Sequence, residues 1–355
     1  MEIEKRLGRT ESLIIIGEFK MIEYVLDKDE RNFHCWNYRS LMRKEYVNYI
    51  KSFNSSNQNE ELIDKFYQKE LDYSEKMIQK NFSNYSAWYY RFKILKFFSK
   101  DSLYPIDLKH IFKDIDQMVQ ALYTEPSDQS CWSYHKILLN ILSPIQVLIL
   151  KIDTKKDKLE IHLTLTNSIK KISFIKTNIS DDPKYEILPS TKKLKVNIPL
   201  KDFSLNEIKL EMKVLCLHYT KLPEIFLSLT FEKVENEYKL KEFVDQSQKE
   251  NQNLQIIKEV FEKNLKEIHE LIEMEPSLSS PMERLIHLKG ILYLHFFNPL
   301  YSKIKIEEIN SIFLKLNEDI EKLKKFKDVK IQYYFDIQTE IKEVNCWRDK
   351  YLSLN

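Results

Sequence analysis

Glycine is nearly missing from this chain: Gly8, Gly17 and Gly290 are the three in 355 residues. Neither G-x-G-x-x-G nor G-x-x-x-x-G-K can be written with them, which excludes a glycine-rich phosphate loop. Few glycines also mean few left-handed turns, favouring long helices and longer loops. Cysteine is scarce too. Cys35, Cys131, Cys216 and Cys346 lie far apart, so there is no CxxC and no zinc-ribbon spacing. Four reduced thiols of a cytosolic chain is the expectation. The histidines form no HExxH. No run of about 20 apolar residues is present, so no membrane span is expected. Ser12–Gly17 (SLIIIG) is too short for a signal core and lacks a small-residue cleavage site. An excess of one charge is also missing: 56 Lys+Arg against 54 Asp+Glu leaves +2, which argues against a nucleic-acid partner.

What is present falls into three zones. Residues 1–145 read as helical pairs, 146–240 as a β-sandwich insert, and 241–355 as a return to helix. Lys51–Glu61 reads as an inter-helix loop and Asp245–Asn253 as a linker. The charge run Glu318–Lys330 reads as a solvated helix face. In the middle zone Leu159, Ile161, Leu163 and Leu165 alternate with polar residues. So do Ile208, Leu210, Met212 and Val214, then Leu227, Leu229 and Phe231, then Val196, Ile198 and Leu200. With Val147–Ile152 and Ile172–Ile175 this makes about six antiparallel strands, the size of an immunoglobulin-like sandwich. Cys216 stands alone there, so no inter-sheet disulfide is expected. His162 and His218 read as surface or rim histidines.

The first helical zone repeats itself. Three tryptophans share a setting: Asn32-Phe-His-Cys-Trp36-Asn-Tyr-Arg39, Asn84-Tyr-Ser-Ala-Trp88-Tyr-Tyr-Arg91 and Asp128-Gln-Ser-Cys-Trp132-Ser-Tyr-His135. Eighteen residues before each Trp stands an acid, Glu18, Glu70 or Asp114. Apolar pairs precede each Trp by eleven and ten residues: Val25/Leu26, Met77/Ile78 and Ala121/Leu122. A weaker fourth copy lies over Met282, with Leu265, Leu271, Ile272 and Leu288 at matching offsets.

Each copy reads as a helical hairpin. The Asn or Asp caps the second helix. The Trp fills the space between the two helices, and the small residue before it makes room. The basic residue at +3 should meet an acid, and the spacing predicts Glu18–Arg39, Glu70–Arg91 and Asp114–His135. Such hairpins stack into an α-solenoid, which commonly presents a binding face to another protein.

These runs resemble the protein prenyltransferase α-subunit repeat, whose core is Asn-Tyr-x-x-Trp-x-x-Arg. They are most similar to the α subunits of Rab geranylgeranyltransferases, some of which carry an immunoglobulin-like domain at this point. Glu275-Pro276, Asn298-Pro299-Leu300-Tyr301 and the helical return fit as well. The resemblance implies a mainly α fold: a helical-hairpin solenoid of prenyltransferase alpha repeats interrupted by an immunoglobulin-like β-sandwich insert.

The resemblance also implies a cytoplasmic heterodimer with a prenyltransferase β subunit. That partner would hold the zinc and the isoprenoid, leaving no cofactor in this chain. Geranylgeranyl would pass from its diphosphate to C-terminal cysteines of a Rab GTPase presented by a Rab escort protein. The alternative is a non-catalytic scaffold for the β subunit or the escort protein. Family members have further N-terminal repeats, one with a Lys that reaches the diphosphate. Residues 1–28 do not match it, so a shortened chain is expected. The resemblance places Phe33 and His34 toward the partner's active site, His34 as a diphosphate or peptide contact. Phe33 and Tyr85 are implied interface residues. Trp36, Trp88, Trp132, Arg39, Arg91 and His135 read as structural, as do Glu18, Glu70 and Asp114. Trp347 reads as an anchor of the last helix.

Overall fold

The computed structural model describes residues 9–52, 56–98, 106–143, 146–155, 158–166, 169–179, 183–188, 192–200, 206–216, 224–234, 237–245, 253–296, 306–326, 334, 336–339 and 341–344. His218, Trp347 and Asn298–Tyr301 lie outside these, as do the central residues of both polar seams and the end of the charge run. The chain divides near Leu138 into two compact units.

The first unit contains three helical hairpins. They are α1 (Arg9–Lys28) with α2 (Phe33–Lys51), α3 (Ser56–Lys80) with α4 (Tyr85–Phe98), and α5 (Leu108–Thr124) with α6 (Gln129–Leu142). Helix α5 shows why these segments fold. Asp107 accepts from the Lys109 N–H at 2.9 Å, capping the start. Ile111, Ile115, Met118, Val119 and Leu122 then recur at helical spacing and are buried. The segment read as a long loop over Lys51–Glu61 is shorter than expected. Helix α2 runs through Lys51 and α3 begins at Ser56, because Ile63 and Phe66 on α3 pack against Val47 and Ile50 on α2. Burial of that face extends the helix into a polar sequence.

The second unit holds the sandwich. Its strands are β1 (Val147–Lys155), β2 (Lys158–Leu165), β3 (Ile169–Thr177), β4 (Lys184–Ile187), β5 (Lys193–Pro199), β6 (Glu207–Cys216), β7 (Glu224–Val234) and β8 (Glu237–Asp245). The sheets are β1-β2-β5-β4 and β3-β6-β7-β8, all antiparallel. Removing β8 leaves the ABED and CFG sheets of an immunoglobulin constant-type domain. Every alternating run identified in the sequence faces the core: Ile161, Val196, Met212 and Leu229 are fully buried. Two strands exceed the six expected. Strand β4 is four residues long and largely exposed, and β8 carries five charged side chains. Both lie at sheet edges, where one side of the backbone is paired and alternation is not required. Strand β8 runs to Asp245.

The same unit returns to helix in α7 (Leu254–Met274) and α8 (Ser279–Ile291), with a π-helical turn at Leu292–Phe296 and then α9 (Ile306–Leu323). Helices α7 and α8 form the fourth hairpin that the Met282 alignment predicts. Its signature is worn away: Leu278 makes no side-chain cap, Met282 stands for Trp, and Asn264 stands for the acid.

Candidate functional site

The repeat residues assemble into one construction, used three times. Asn32 accepts from the Cys35 N–H at 3.0 Å, Asn84 from Ala87 at 3.1 Å, and Asp128 from Ser130 at 2.8 Å. Each indole N–H donates to the carbonyl six residues back: Trp36 to Glu30 at 2.8 Å, Trp88 to Phe82 at 2.9 Å, Trp132 to Pro126 at 2.7 Å. The indole thereby ties the inter-helix turn to the helix it opens. Each of the first two rings also packs on the next hairpin. Trp36 lies 5.3 Å from Tyr90, and Trp88 stacks at 4.9 Å on Tyr134. The tryptophans therefore fill space between hairpins as well as within them.

The ionic pairing corrects the expected one. Arg39 does not bond Glu18. Its guanidinium clamps Glu70 of the following hairpin, Nη2 at 2.7 Å and Nε at 2.8 Å. Arg91 does not bond Glu70 but clamps Asp114, again one hairpin on, at 2.9–3.0 Å. Each acid is met within its own hairpin by the Tyr at +2: Tyr38–Glu18, Tyr90–Glu70 and Tyr134–Asp114. The predicted Asp114–His135 pair is likewise replaced by Arg91 and Tyr134. His135 is fully buried, with its ring edge-on to Trp132 at 6.3 Å. Alignment of offsets finds the acid and the base but cannot say that the bond crosses to the next copy.

Burial would pull the Arg39 guanidinium down, yet the Glu70 carboxylate holds it above its ordinary value. Burial, then Glu70, pushes the Tyr90 hydroxyl well up; burial and Asp114 do the same to Tyr134. The partners of Glu70 and Asp114 are thus fixed in one protonation state near neutral pH, and these two nodes are structural. Cys131 belongs with them: burial raises its thiol far above the ordinary range. It is no nucleophile.

The exposed chemistry lies at the starts of α2 and α4. Phe33 is 57% exposed and Tyr85 40%. His34 is exposed with its ring 3.9 Å from that of Phe33. Tyr85 stacks on Tyr89 at 6.0 Å, and Tyr89 is itself 39% exposed. Between the two helices runs a groove of about 210 Å³ lined by Phe33, Trp36, Asn37, Ser40, Tyr85, Ser86, Tyr89, Tyr90 and Lys93. Phe33 and Tyr85 are thus brought together on one groove, and His34, next to Phe33 in sequence, is not in its lining.

Sequence reasoning missed the cations beside this groove. Lys93 Nζ sits 4.3 Å above the Tyr89 ring and Lys96 Nζ 4.1 Å above Phe92. Arg43 is 5% exposed, with its guanidinium 5.4 Å from the Tyr90 ring and 5.6 Å from Tyr67. Its Nε and Nη1 are buried without a hydrogen-bond partner. Burial, with Arg43 and Lys44 nearby, lowers the Lys93 ammonium; burial and Lys93 lower Lys96. The available signal was helical: Arg43 falls one turn beyond Arg39, and Lys93 one turn beyond Tyr89.

In the second unit, Asp153, Glu160 and His162 bring three ligand-type atoms together. His162 is half-buried there, 3.9 Å from both carboxylates. Lys155, Lys158 and Lys195 crowd the Glu160 carboxylate at 2.5, 2.8 and 3.4 Å. Three ammonium groups already neutralise it and oppose a bound cation, so the rim reading of His162 is kept. No helix among the described residues is long and apolar enough to cross a membrane.

Comparison with known proteins bears on the same helices. The family model described as protein prenyltransferase alpha subunit repeat matches residues 16–44 and 67–98. Those spans contain the first two acid–Trp–Arg copies. Among curated relatives, geranylgeranyl transferase type-2 subunit alpha of Rattus norvegicus is 30% identical over 140 residues, 37% of this chain and 21% of the rat protein. The Homo sapiens protein of that name is 30% identical over 144 residues, 39% of this chain and 22% of its own length. The Schizosaccharomyces pombe protein is 33% identical over 132 residues, 36% of this chain and 35% of its own length. The match therefore spans about a fifth to a third of these relatives.

Proposed function

Since this chain belongs to the protein prenyltransferase alpha-subunit repeat family, we propose that it is the alpha subunit of a heterodimeric, Rab-type protein geranylgeranyltransferase. In this reading it acts in the cytoplasm beside a β subunit that holds zinc and the isoprenoid. The pair transfers geranylgeranyl from its diphosphate to C-terminal cysteines of a Rab GTPase brought by its escort protein. The observation that carries the reading is the aromatic row Phe33, Tyr85 and Tyr89, exposed along one groove between α2 and α4. Large aromatic side chains left at 39–57% exposure on rigid helices are the usual content of an interface core. The supporting similarity is to relatives named geranylgeranyl transferase type-2 subunit alpha.

Each side chain has a role in this reading. Phe33 and Tyr85 pack against the partner, and the Tyr85 hydroxyl, raised by burial and by Tyr89, remains a neutral donor. His34, exposed at the first turn of α2, contacts the diphosphate or the acceptor tail. The buried nodes around Glu70 and Asp114 hold both helices at the spacing the partner meets. The test is co-purification with the organism's own β subunit, followed by geranylgeranyl transfer to an escort-bound Rab. Transfer that falls on His34→Ala while the heterodimer persists supports the reading. A stable heterodimer without transfer supports the non-catalytic scaffold instead. Absence of any heterodimer refutes both.

A further inference from the structure

Resting on that heterodimer reading, we propose that the groove between α2 and α4 seats an acidic segment of the partner subunit. One large apolar side chain enters the groove, and an adjacent carboxylate bonds Lys93 in the field of the buried Arg43 guanidinium.

The cations carry the argument. Arg43 is 5% exposed, and its Nε and Nη1 reach no acceptor. Among the described residues, no carboxylate contacts Arg43, Lys93 or Lys96; aromatic rings are what they touch. A buried guanidinium without an anion is costly, and ring faces return a part of that cost. The two other deeply buried arginines of this unit, Arg39 and Arg91, each hold a carboxylate. Arg43 is the exception: it meets the Tyr67 and Tyr90 rings and, among the described residues, no acid. Tyr90 connects it to the groove: this residue lines the groove, and its ring lies 5.4 Å from the Arg43 guanidinium. Lys93 lines the same groove and feels the Arg43 charge.

The groove sets the rest of the occupant. Its walls are Phe33, Trp36, Tyr85, Tyr89 and Tyr90, and it holds about 210 Å³. A cavity of about 150 Å³ accepts a benzene-sized ring, so this one takes a single large apolar side chain. Asn37, Ser40 and Ser86 offer polar contacts to its backbone. A rigid aromatic pocket beside a desolvated cation is the form of an interface hot spot. A carboxylate arriving there gains a charge-assisted hydrogen bond from Lys93 and places a negative charge near the unpaired Arg43 guanidinium.

The test measures affinity of the full chain for the β subunit by titration calorimetry, at low and high salt. Lys93→Gln is expected to weaken binding at least about tenfold and to flatten its salt dependence. Arg43→Met is expected to weaken binding too, while the melting temperature of the free chain holds or rises. A purely structural Arg43 would do the reverse, lowering the melting temperature and leaving affinity unchanged. Affinity within about twofold of the unmodified chain in both variants overturns the proposal. So does binding of inorganic diphosphate to the free chain that Lys93→Gln abolishes, since the site would then be a phosphate site. If the unmodified chains form no complex, the heterodimer reading fails, and this proposal fails with it.

Discussion

The pairing of Arg39 with the next hairpin's acid can be measured. Arg39 is 1% exposed and Glu70 6% by side chain, and their contact is bidentate at 2.7–2.8 Å. Glu23 adds a second contact at 3.3 Å but is 46% exposed, so it contributes little. Arg39→Met leaves the Glu70 carboxylate buried with Tyr90 as its remaining donor. Breaking a buried pair from one side costs about 3–5 kcal/mol, and that is the expected loss. Arg39→Met with Glu70→Leu removes both charges and should recover most of it, because isosteric apolar replacement of a buried pair is close to neutral. The coupling energy between positions 39 and 70 should therefore be about 2 kcal/mol or more, and between 39 and 18 about zero. Urea denaturation followed by tryptophan fluorescence is the assay, since Trp36, Trp88 and Trp132 are three of the four indoles and all lie in the helical hairpins. If position 18 couples to Arg39 as strongly as position 70 does, or Arg39→Met costs under about 1 kcal/mol, the cross-hairpin node is wrong.

Three further outcomes are expected. Asn84→Ala loses the cap to Ala87 at 3.1 Å and the Nδ2 bond to the Glu30 carbonyl at 2.6 Å. It should cost about 2–3 kcal/mol in chemical denaturation, against about 1 kcal/mol for an isolated cap. Gly17→Ala should raise the melting temperature, with a gain of about 0.5–1 kcal/mol, since Gly17 is inside α1 and its added Cβ meets nothing within 4 Å. Lys155 and Lys158 hold Glu160 down to about 2, so the folded carboxylate binds its proton later than the unfolded one. That contribution is complete above the ordinary value of 4.5 and is lost as pH falls from there toward 2. Glu160→Gln should flatten this acid limb in sandwich unfolding followed by circular dichroism; an unchanged limb would remove Glu160 as its source.

Much of the fold is written in local patterns. Alternation in Leu159–Leu165 and Ile208–Val214 identifies strands because one face of each is buried. The Asn/Asp–Trp–Arg/His settings mark three helix starts because cap, turn and indole act within seven residues. What was not legible depends on distance in sequence. The partner of Arg39 is 31 residues away, and nothing local distinguishes Glu70 from Glu18. Strands β4 and β8 escaped because edge strands obey no strict alternation. The groove was partly legible: Phe33 and Tyr85 came from the repeat, whereas Arg43 and Lys93 are ordinary helix residues until burial makes them unusual.

The nodes also decide where this chain can change length. Acid and Tyr of one hairpin are 20 residues apart in all three copies. Arg and the acid it reaches are 31 residues apart at one junction and 23 at the next. The eight-residue difference sits in the helix ends beyond the lock formed by indole, cap and acid: α2 runs on to Lys51 and α3 starts at Ser56, whereas α4 ends at Phe98 and α5 starts at Leu108. Each acid-to-Arg span is thus a fixed-length cassette, and the helix ends between cassettes vary in length while the bonding stays the same. A residue inserted between acid and Trp would turn every buried group of that cassette out of register. The same residue inserted between cassettes would lengthen a helix end or a loop that lies outside the lock.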